Sequence, residues 1–375
     1  MHKKKQIVFV NQSSGYLMID ILEAFDDIYE ERILITGYLN PREKNLGQKV
    51  ILKKMIPYDR SSSFKRLMTW SMGFLKAVWL IKTRYRDADL FLVTNPPFTT
   101  FIPLLCSNKY KLLIYDIYPD ALVEFSYFKK ESKVTKVWEK VNRKVFKKAQ
   151  KVYTLTEGMK SRILNYTSEE NIKVVPIWTE NEFLKPIEKS VNPFIIERKL
   201  EDKFIVMYSG NLGKSHPVEI MVELAKLCKN PKIHFMIIGG GDKYNLLDQK
   251  ITDANLSNIT LQTWMPTQEI PQSMNAADIG VVTLGKEATD ISIPSKTFNL
   301  FSVAKPILAI CNKEAALADL IKRNKCGESF PPDEIQNILD FINRLHSEKE
   351  LHKYYASNSL KTSLLFTKEN AKSFL

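Results

Sequence analysis

The sequence has few of the residues that build metal sites and disulfide frameworks. Its four cysteines are scattered without a Cys-x-x-Cys pair, and its five histidines include no His-Glu-x-x-His pattern. This disfavours a zinc site, a disulfide framework and a metallohydrolase centre. Unpaired cysteines fit a reducing compartment, so we expect a cytoplasmic protein.

Long apolar runs are also missing. A membrane-spanning helix needs roughly 18 uncharged apolar residues. The closest run, residues 70–81, is short and contains Lys76. The basic N-terminus leads straight into Ile-Val-Phe-Val without the apolar region of a signal peptide. We therefore expect neither a spanning helix nor a signal peptide.

Acidic residues are too few to balance the basic ones in the N-terminal half. Residues 1–190 carry 33 Lys and Arg against 21 Asp and Glu, whereas the remaining residues carry 22 against 21. Residues 129–151 hold ten basic residues and two glutamates, and residues 64–85 place aromatics between basic residues. This pattern favours contact with an anionic membrane surface. The alternatives are a solvated helix face, and nucleic acid, for which the chain has no motif.

The sequence does contain an alternation of predicted strands and helices, which occurs in both halves. Hydrophobic residues make up 44% of the chain. Continuous aliphatic runs between helices predict parallel sheets that are covered on both faces. We predict an α/β protein with two doubly wound Rossmann-like domains, at 1–185 and 200–360, and a C-terminal helix at 361–375 that returns toward the first. Residues 176–200 are the predicted linker. The predicted strands are 6–10, 32–36, 90–94, 112–116, 151–156, 204–208, 232–238, 259–262, 279–283 and 307–310.

One turn of the second half approaches a phosphate-binding motif. Tyr208-Ser-Gly-Asn-Leu-Gly-Lys-Ser-His216 lacks the leading glycine of a P-loop, because Tyr208 stands there. What remains is a strand, a glycine turn and a helix start, where backbone N–H groups can face a phosphate. A tight turn that needs glycine for its backbone geometry explains it equally well.

An ordered series of motifs gives the sequence a specific resemblance to one protein family. It comprises Ser209–His216, Ile237-Ile-Gly-Gly-Gly-Asp242, Trp264-Met-Pro266, Met274–Val282, Ile293-Pro-Ser-Lys-Thr-Phe-Asn299 and Ala304-Lys-Pro306. This series resembles the donor-binding domain of family 4 glycosyltransferases, which are retaining enzymes of the GT-B architecture with two domains facing a central cleft. Thr94-Asn-Pro-Pro97, Tyr115–Asp120 and Thr154–Met159 resemble the acceptor domain of members that build bacterial surface polysaccharides.

The resemblance implies a site for a nucleotide-diphosphate sugar. Developing charge on the leaving diphosphate must be stabilised, and the backbone N–H groups of residues 292–297 with Lys296 would do this. Alternatively, Ser295 is an N-cap and Lys296 a solvated side chain. The catalytic candidates are Asp290, Lys296 and His216. The donor-binding candidates are Gly210, Asn211, Gly213, Lys214, Gly239, Gly240, Trp264, Met265, Ser292, Pro294, Ser295, Thr297 and Asn299.

The chain departs from the family pattern at four positions, one of which is that of the family's other glutamate, where Ile291 stands. The glutamate that commonly holds the ribose hydroxyls is replaced by Asn299, and the first-turn arginine and lysine correspond to Asn211 and His216. For the family's other glutamate the nearest acids are Asp290 and Glu287. An amide can hydrogen-bond a diol, but without a charge-assisted bond.

On the acceptor side we expect Gly15, Asp116 and Asp120, each after a predicted strand. Asp120 would otherwise cap the following helix. Asp87-Ala-Asp89 matches a metal-binding Asp-x-Asp pattern, but a turn before a buried strand explains it better, so we predict no metal and no cofactor besides the nucleotide-sugar substrate.

The predicted function is therefore transfer of a sugar from a nucleotide-diphosphate sugar to a saccharide or polyprenyl-linked acceptor, at the inner face of the cell membrane. The alternative is a non-catalytic GT-B scaffold within a polysaccharide-assembly complex.

Overall fold

A computed structural model describes residues 4–42, 44–59, 61–124, 127–213, 216–285 and 292–375. The chain divides into two compact units, one of residues 1–177 with 368–375 and the other of residues 178–367. The expectation of an α/β fold with parallel sheets is confirmed, because each unit is built on one such sheet.

The first unit has a seven-stranded parallel sheet in the order β5-β3-β1-β6-β7-β8-β9. A two-stranded pair, β2 with β4, lies beside it. The bounds are β1 Gln6–Val10, β2 Ser13–Ser14, α1 Tyr16–Ala24, β3 Glu31–Thr36, β4 Tyr38–Leu39, β5 Val50–Lys54, α2 Ser63–Arg84, β6 Asp89–Val93, α3 Ile102–Leu105, β7 Tyr110–Ile114, α4 Asp120–Glu124, α5 Lys133–Lys148, β8 Lys151–Thr154, α6 Glu157–Ile163 and β9 Ile172–Val174, with 3-10 turns at Pro97–Phe101, Glu169–Asn171 and Lys368–Phe374.

The second unit has a six-stranded parallel sheet in the order β12-β11-β10-β13-β14-β15. Its bounds are α7 Pro193–Glu197, β10 Phe204–Ser209, α8 Ile220–Leu227, β11 Ile233–Ile238, α9 Tyr244–Asp253, β12 Ile259–Gln262, α10 Ile270–Asn275, β13 Ile279–Thr283, α11 Lys296–Ser302, β14 Ile307–Ile310, α12 Ala316–Asn324, β15 Gly327–Phe330, α13 Ile335–Ser347 and α14 Lys349–Ser363, with 3-10 turns at Lys189–Val191 and Thr267–Glu269.

Burial explains where the strands form. The central strand β10 and its neighbour β11 are buried almost throughout, and their aliphatic side chains pack against α8 and α13 in the second unit's core. Such strands show as continuous apolar runs in a sequence.

The unit boundary differs from the predicted linker at 176–200. Leu184, Phe194 and Ile195 are buried and belong to the second unit, so much of the predicted linker is packed structure. At the other end, α14 ends at Ser363, and residues 368–375 group with the first unit as a 3-10 turn. Phe374 packs there against Phe91 and Tyr153.

Within the described ranges, none of the helices is both long and apolar enough to cross a membrane.

Candidate active site

The candidate site lies at the carboxyl edge of the second unit's sheet. In parallel α/β sheets the turns after the strands meet at this edge, which is where ligands bind. The turn after β10 begins at Gly210, whose N–H donates to the carbonyl of Ile238 at 2.9 Å. The turn after β11 begins at Gly239, whose N–H donates to the carbonyl of Gln262 at the end of β12, also at 2.9 Å.

Gly210 and Gly239 bring these two turns into direct contact. Both have a positive φ, +151° and +153°, which side chains of L-residues rarely tolerate. A Cβ on Gly239 would lie 1.9 Å from the carbonyl oxygen of Gly210. A Cβ on Gly210 would lie 2.7 Å from the amine nitrogen of Lys296. The glycines are therefore required, and Lys296 occupies the space that a side chain at position 210 would take.

Lys296 is the first residue of α11, and its side chain reaches back to β10. Its Nζ lies 3.7 Å from the centre of the Tyr208 ring. The Nζ is buried and has no hydrogen-bond partner among the described residues. Burial lowers the pKa of Lys296 from 10.5 to about 7. A buried amine without a counter-ion would regain its charge when an anion binds beside it.

His216 lies after β10, in the turn that begins at Gly210. Its Nδ1 is 3.1 Å from the carbonyl oxygen of Thr283, at the end of β13. A carbonyl only accepts, so Nδ1 carries the proton in this contact. Burial, and next the charge of Lys296, lower the pKa of His216. The ring is therefore neutral near pH 7 and leaves Nε2 as a proton acceptor, so it does not act there as a second cation.

Lys243 holds the backbone of this turn in place. Its amine donates to the carbonyl oxygen of His216 at 2.8 Å and forms an ion pair with Glu219 at 2.9 Å. The side chain of Asn211 lies over neighbouring glycines, because a Cβ on Gly213 would be 2.7 Å from its Nδ2 and a Cβ on Gly241 3.0 Å from its Oδ1.

The start of α11 differs from the prediction in one respect. Ser295 is the N-cap residue, but its side chain makes no capping hydrogen bond. The N–H of Thr297 donates to the carbonyl of Pro294 at 3.0 Å, so the expectation that this N–H points outward is wrong. The hydroxyl of Thr297 is buried and has no partner in the described ranges. Ser292 is half-buried and Pro294 buried just before the helix.

Asn299 lies in the next turn of α11. Its Oδ1 accepts a hydrogen bond of 2.8 Å from the hydroxyl of Thr179, a buried residue of the same unit. The amide oxygen is thereby engaged. Among the described residues, the NH₂ group of Asn299 has no hydrogen-bond acceptor.

Trp264 and Met265 follow β12. Trp264 is 58% exposed, and its ring packs on Gly240, where a Cβ would lie 2.6 Å from the indole nitrogen. Gly240 thus leaves room for this ring. The exposed indole offers a flat face at the edge of the sheet, next to the turn that holds Gly239.

Three predicted residues lie outside the described ranges. They are Asp290 and Lys214, with the further candidate Glu287. Tyr208, Thr283 and Gln262 also contribute to this edge and were not among the predicted site residues. Each lies at or near the end of a strand, and the rule that ligands bind at these ends was the signal that could have found them.

The acceptor-side candidates lie in the first unit. Gly15 precedes α1, and Asp116 follows β7, where its N–H and that of Tyr115 donate to the hydroxyl of Thr94. Asp120 begins α4, and its Oδ1 accepts a hydrogen bond of 2.9 Å from the hydroxyl of Tyr166.

The Asp-x-Asp pattern lies at the start of β6. Asp89 accepts a hydrogen bond of 2.7 Å from the hydroxyl of Tyr29. Among the residues that the structure describes, no group of three or more His, Cys, Asp and Glu side chains is placed to hold a metal ion.

Known proteins resemble the chain in sequence. Residues 193–362 match the family model "Glycosyl transferases group 1". A probable glycosyltransferase, WbjE of Pseudomonas aeruginosa, is 24% identical over 268 residues, 70% of this chain and 67% of that protein. The putative colanic acid biosynthesis glycosyl transferase WcaI of Escherichia coli is 24% identical over 46% of this chain and 44% of that protein.

Solved structures resemble the whole chain. Anabaena Alr3699/HepE in complex with UDP and glucose has a TM-score of 0.73 at 16% identity, with 98% of this chain and 97% of that one covered. WaaG, a glycosyltransferase involved in lipopolysaccharide biosynthesis, has a TM-score of 0.70 at 14% identity, with 98% of each chain covered. The chain therefore has the GT-B fold of these glycosyltransferases, and its residues 193–362 carry the match to the group 1 glycosyl transferases.

Proposed function

We propose that the chain is a retaining glycosyltransferase of family 4. It moves a sugar, as a hexosyltransferase does, from a nucleotide-diphosphate sugar to a saccharide or lipid-linked saccharide. The process served is the synthesis of a surface polysaccharide such as capsule, exopolysaccharide or O-antigen. The similar proteins named above support this assignment, since WcaI is a putative colanic acid biosynthesis glycosyl transferase and the structure of HepE contains UDP and glucose.

The observation that carries the proposal is the buried amine of Lys296 between Gly210 and the Tyr208 ring, which has no hydrogen-bond partner among the described residues. When a sugar leaves a nucleotide diphosphate, negative charge develops on the diphosphate. A cation that is preorganised and poorly hydrated stabilises the transition state, in which this charge has developed, more than it stabilises the ground state. It therefore accelerates the transfer. Lys296 would bind a proton as the diphosphate binds, and would then neutralise the leaving group.

The other candidates take supporting roles. His216 orients the turn through Thr283 and offers Nε2 to a hydroxyl of the donor. The NH₂ group of Asn299 donates to the ribose, and Trp264 stacks on the base. Retention follows if the acceptor attacks from the face that the diphosphate leaves and gives its proton to that diphosphate. The acceptor hydroxyl is oriented by the first unit's Gly15, Asp116 and Asp120.

Isothermal titration with UDP, GDP and their sugars tests the donor site. We expect one of these nucleotides to bind the purified chain, and Lys296→Met to remove that binding. Lys229→Met, an exposed lysine of the same unit, is the matched control and should bind as the wild type does. Absence of binding to all of these nucleotides would contradict the proposal.

The competing function is a non-catalytic partner subunit, which is favoured by Asn211, His216 and Asn299 at the positions of the family's usual arginine, lysine and glutamate. Turnover of a sugar nucleotide by the purified chain alone, lost in Lys296→Met with the fold intact, would exclude it. A chain that binds the nucleotide but transfers sugar only with a second protein would support it.

An anionic membrane is the proposed partner surface, at the inner face of the cell membrane. On α2 an apolar stripe faces solvent at helical spacing: Phe64, Met68, Met72, Leu75 and Trp79. Residues 61–86 contain six Lys and Arg and no acidic residue. An exposed apolar stripe with cationic flanks and an interfacial tryptophan is typical of a helix that lies on anionic lipid.

Vesicle cosedimentation tests this surface. We expect the protein to bind phosphatidylglycerol vesicles more than phosphatidylcholine vesicles, and Leu75→Glu to weaken binding. Leu227→Glu is the matched control, since Leu227 is a similarly exposed leucine of the second unit. Equal binding by both variants would refute the role of α2.

A further inference from the structure

An apolar groove opens on the first unit, between the turn Pro97–Phe101 and α5. It is open to solvent, has a volume of about 390 Å³ and is lined by Phe98, Phe101, Lys133, Val134, Val137 and Trp138. Val137 is 62% exposed and Val134 is 54% exposed, so the described residues leave these side chains uncovered. The volume is that of a small-ligand site.

The charge around this groove selects the kind of ligand. Residues 133–148, which form α5, carry seven Lys and Arg against one glutamate. Lys133 is exposed and contributes to the lining of the groove itself. Apolar walls with Lys133 in the lining, on a helix with a strong excess of cations, complement a ligand that joins a hydrocarbon chain to an anionic headgroup.

The groove also adjoins the acceptor-side loop of this unit. The ring of Trp138 forms one wall and stacks on Tyr118, with centroids 6.1 Å apart and planes 22° apart. The side-chain NH₂ of Asn142, also on α5, donates to the carbonyl of Tyr118. Tyr118 stands between Asp116 and Asp120 in the sequence. A hydrocarbon chain in the groove would therefore contact the Trp138 ring, which itself contacts Tyr118 in the loop assigned to the acceptor.

We propose that this groove holds the hydrocarbon chain of a lipid-linked acceptor, with the lipid phosphate held by the lysines of α5. The identification of the lipid as the acceptor rests on the proposed glycosyl transfer. The binding of an anionic isoprenoid or alkyl chain does not, because it follows from the groove and the charges alone.

Farnesyl phosphate is the probe, titrated into the full-length protein without any sugar nucleotide. We expect it to bind, whereas inorganic phosphate does not. Val137→Asp should weaken the binding at least ~10-fold, the equivalent of about 1.4 kcal/mol, because it removes apolar contact and adds a negative charge. Val191→Asp is the matched control, since Val191 is 66% exposed in the second unit. Val134→Asp repeats the test from the preceding turn of α5, should Val137→Asp fail to fold.

Three results would overturn the proposal. The first is farnesyl phosphate binding that is unchanged in both groove variants. The second is no binding of farnesyl phosphate together with a loss of anionic-vesicle binding in Val137→Asp, which would make the groove a bilayer contact. The third is a dimer that dissociates in Val137→Asp, which would make it an interface between copies.

UDP binding separates this proposal from the proposed function. Val137→Asp should bind UDP as the wild type does, because the groove and the nucleotide turns belong to different units. If the wild type bound farnesyl phosphate but no nucleotide, the transferase assignment would fail and the lipid groove would stand. If the wild type transferred sugar to a free saccharide but bound no farnesyl phosphate, the lipid-groove proposal would fail and the transferase assignment would stand.

Discussion

Replacing Lys296 with methionine should stabilise the ligand-free protein while it removes nucleotide binding. The amine of Lys296 is buried without a partner among the described residues, and burial lowers its pKa from 10.5 to about 7. In the unfolded chain the same amine is hydrated and keeps its ordinary pKa. Between these two pKa values the unfolded chain therefore binds a proton that the folded chain does not hold, and the folded state is disfavoured.

The size of the effect follows from the difference in pKa. Each pKa unit corresponds to about 1.4 kcal/mol of free energy. The drop in the pKa from 10.5 to about 7 therefore destabilises the folded state by about 5 kcal/mol at pH 7 and below. Lys296 as a whole is partly exposed, so the amine can shift toward water, and we expect about half of this penalty, ~2–3 kcal/mol, to operate. Methionine retains an unbranched apolar stem and has no proton to lose. The gain in unfolding free energy should be complete at pH 7, fall as the pH rises, and vanish above the ordinary lysine pKa.

Urea unfolding between pH 6 and pH 10 measures this directly, with Lys229→Met as the control. The control should follow the wild type at every pH. A Lys296→Met protein that is less stable than the wild type at pH 7, or equally stabilised at both ends of the range, would refute the reasoning. For the wild type we also expect proton uptake from the buffer when UDP binds at pH 8, seen as a calorimetric heat that depends on the buffer and is absent in the variant.

Three further predictions concern the same edge of the sheet. Gly239→Ala should lower the free energy of unfolding by more than ~2 kcal/mol, because its Cβ would lie 1.9 Å from the Gly210 oxygen at a positive φ. Gly15→Ala is the control and should be tolerated, because its Cβ meets nothing nearer than 3.8 Å. Equal thermal unfolding of the two variants would contradict this prediction. The pKa of His216, followed by NMR, should lie below 6.5 and rise in Lys296→Met, because burial and the Lys296 charge lower it; an unchanged value would show that the two groups do not interact. Asn299→Glu should tighten UDP binding ~3–10-fold through a charge-assisted bond to the ribose, and unchanged calorimetric affinity would remove Asn299 from the nucleotide site.

The central strands of the fold could be predicted from the sequence because they are buried on both faces. The bounds of β1, β13 and β14 agree with the predicted runs, and so do those of the edge strand β12, of which only Ile259 is buried. The other edge strands, β5, β9 and β15, were missed. They are short, and β5 ends in two lysines while β15 includes Glu328, so their sequences lack a continuous aliphatic run. Their strand state comes from pairing with an inner neighbour, which a local pattern does not contain.

Helix bounds were less predictable for a related reason. The sequence pattern after the first strand predicts a helical run that ends near Glu31, whereas α1 ends at Ala24. A hydrogen-bonded turn follows α1, in which Tyr29 donates its N–H to the carbonyl of Phe25. Phe25 and Tyr29 are buried beside the sheet and continue the apolar spacing past the end of the helix. Burial alone therefore does not distinguish a helix from the packed turn that follows it.

The candidate site was predictable as a set of turns but not as a set of contacts. In the sequence, Gly210 and Gly239 directly follow predicted strands, and Lys296 lies between a predicted strand and the helix that follows it. The carboxyl ends of these strands meet at one edge of the sheet. The sequence could not show that the Lys296 side chain turns back onto Tyr208 and Gly210, because this contact joins residues far apart in the chain. Nor could it show that the N–H of Thr297 is used within its own turn.

We infer that, in the proposed donor site, the contact between Gly210 and Lys296 compensates for the departures from the pattern of the family that the sequence resembles. Positions 211 and 216, where the family that the sequence resembles has an arginine and a lysine, hold an exposed asparagine and a histidine whose pKa is lowered. Lys296 brings its cation to the same turn from α11, and it can do so only because position 210 has no side chain. Glycine at 210 thus has a second role beyond its backbone geometry, namely to leave space for the amine. Gly210→Ala should therefore weaken nucleotide binding in the wild type but have little further effect on binding in Lys296→Met, a non-additivity expected only of residues that act together.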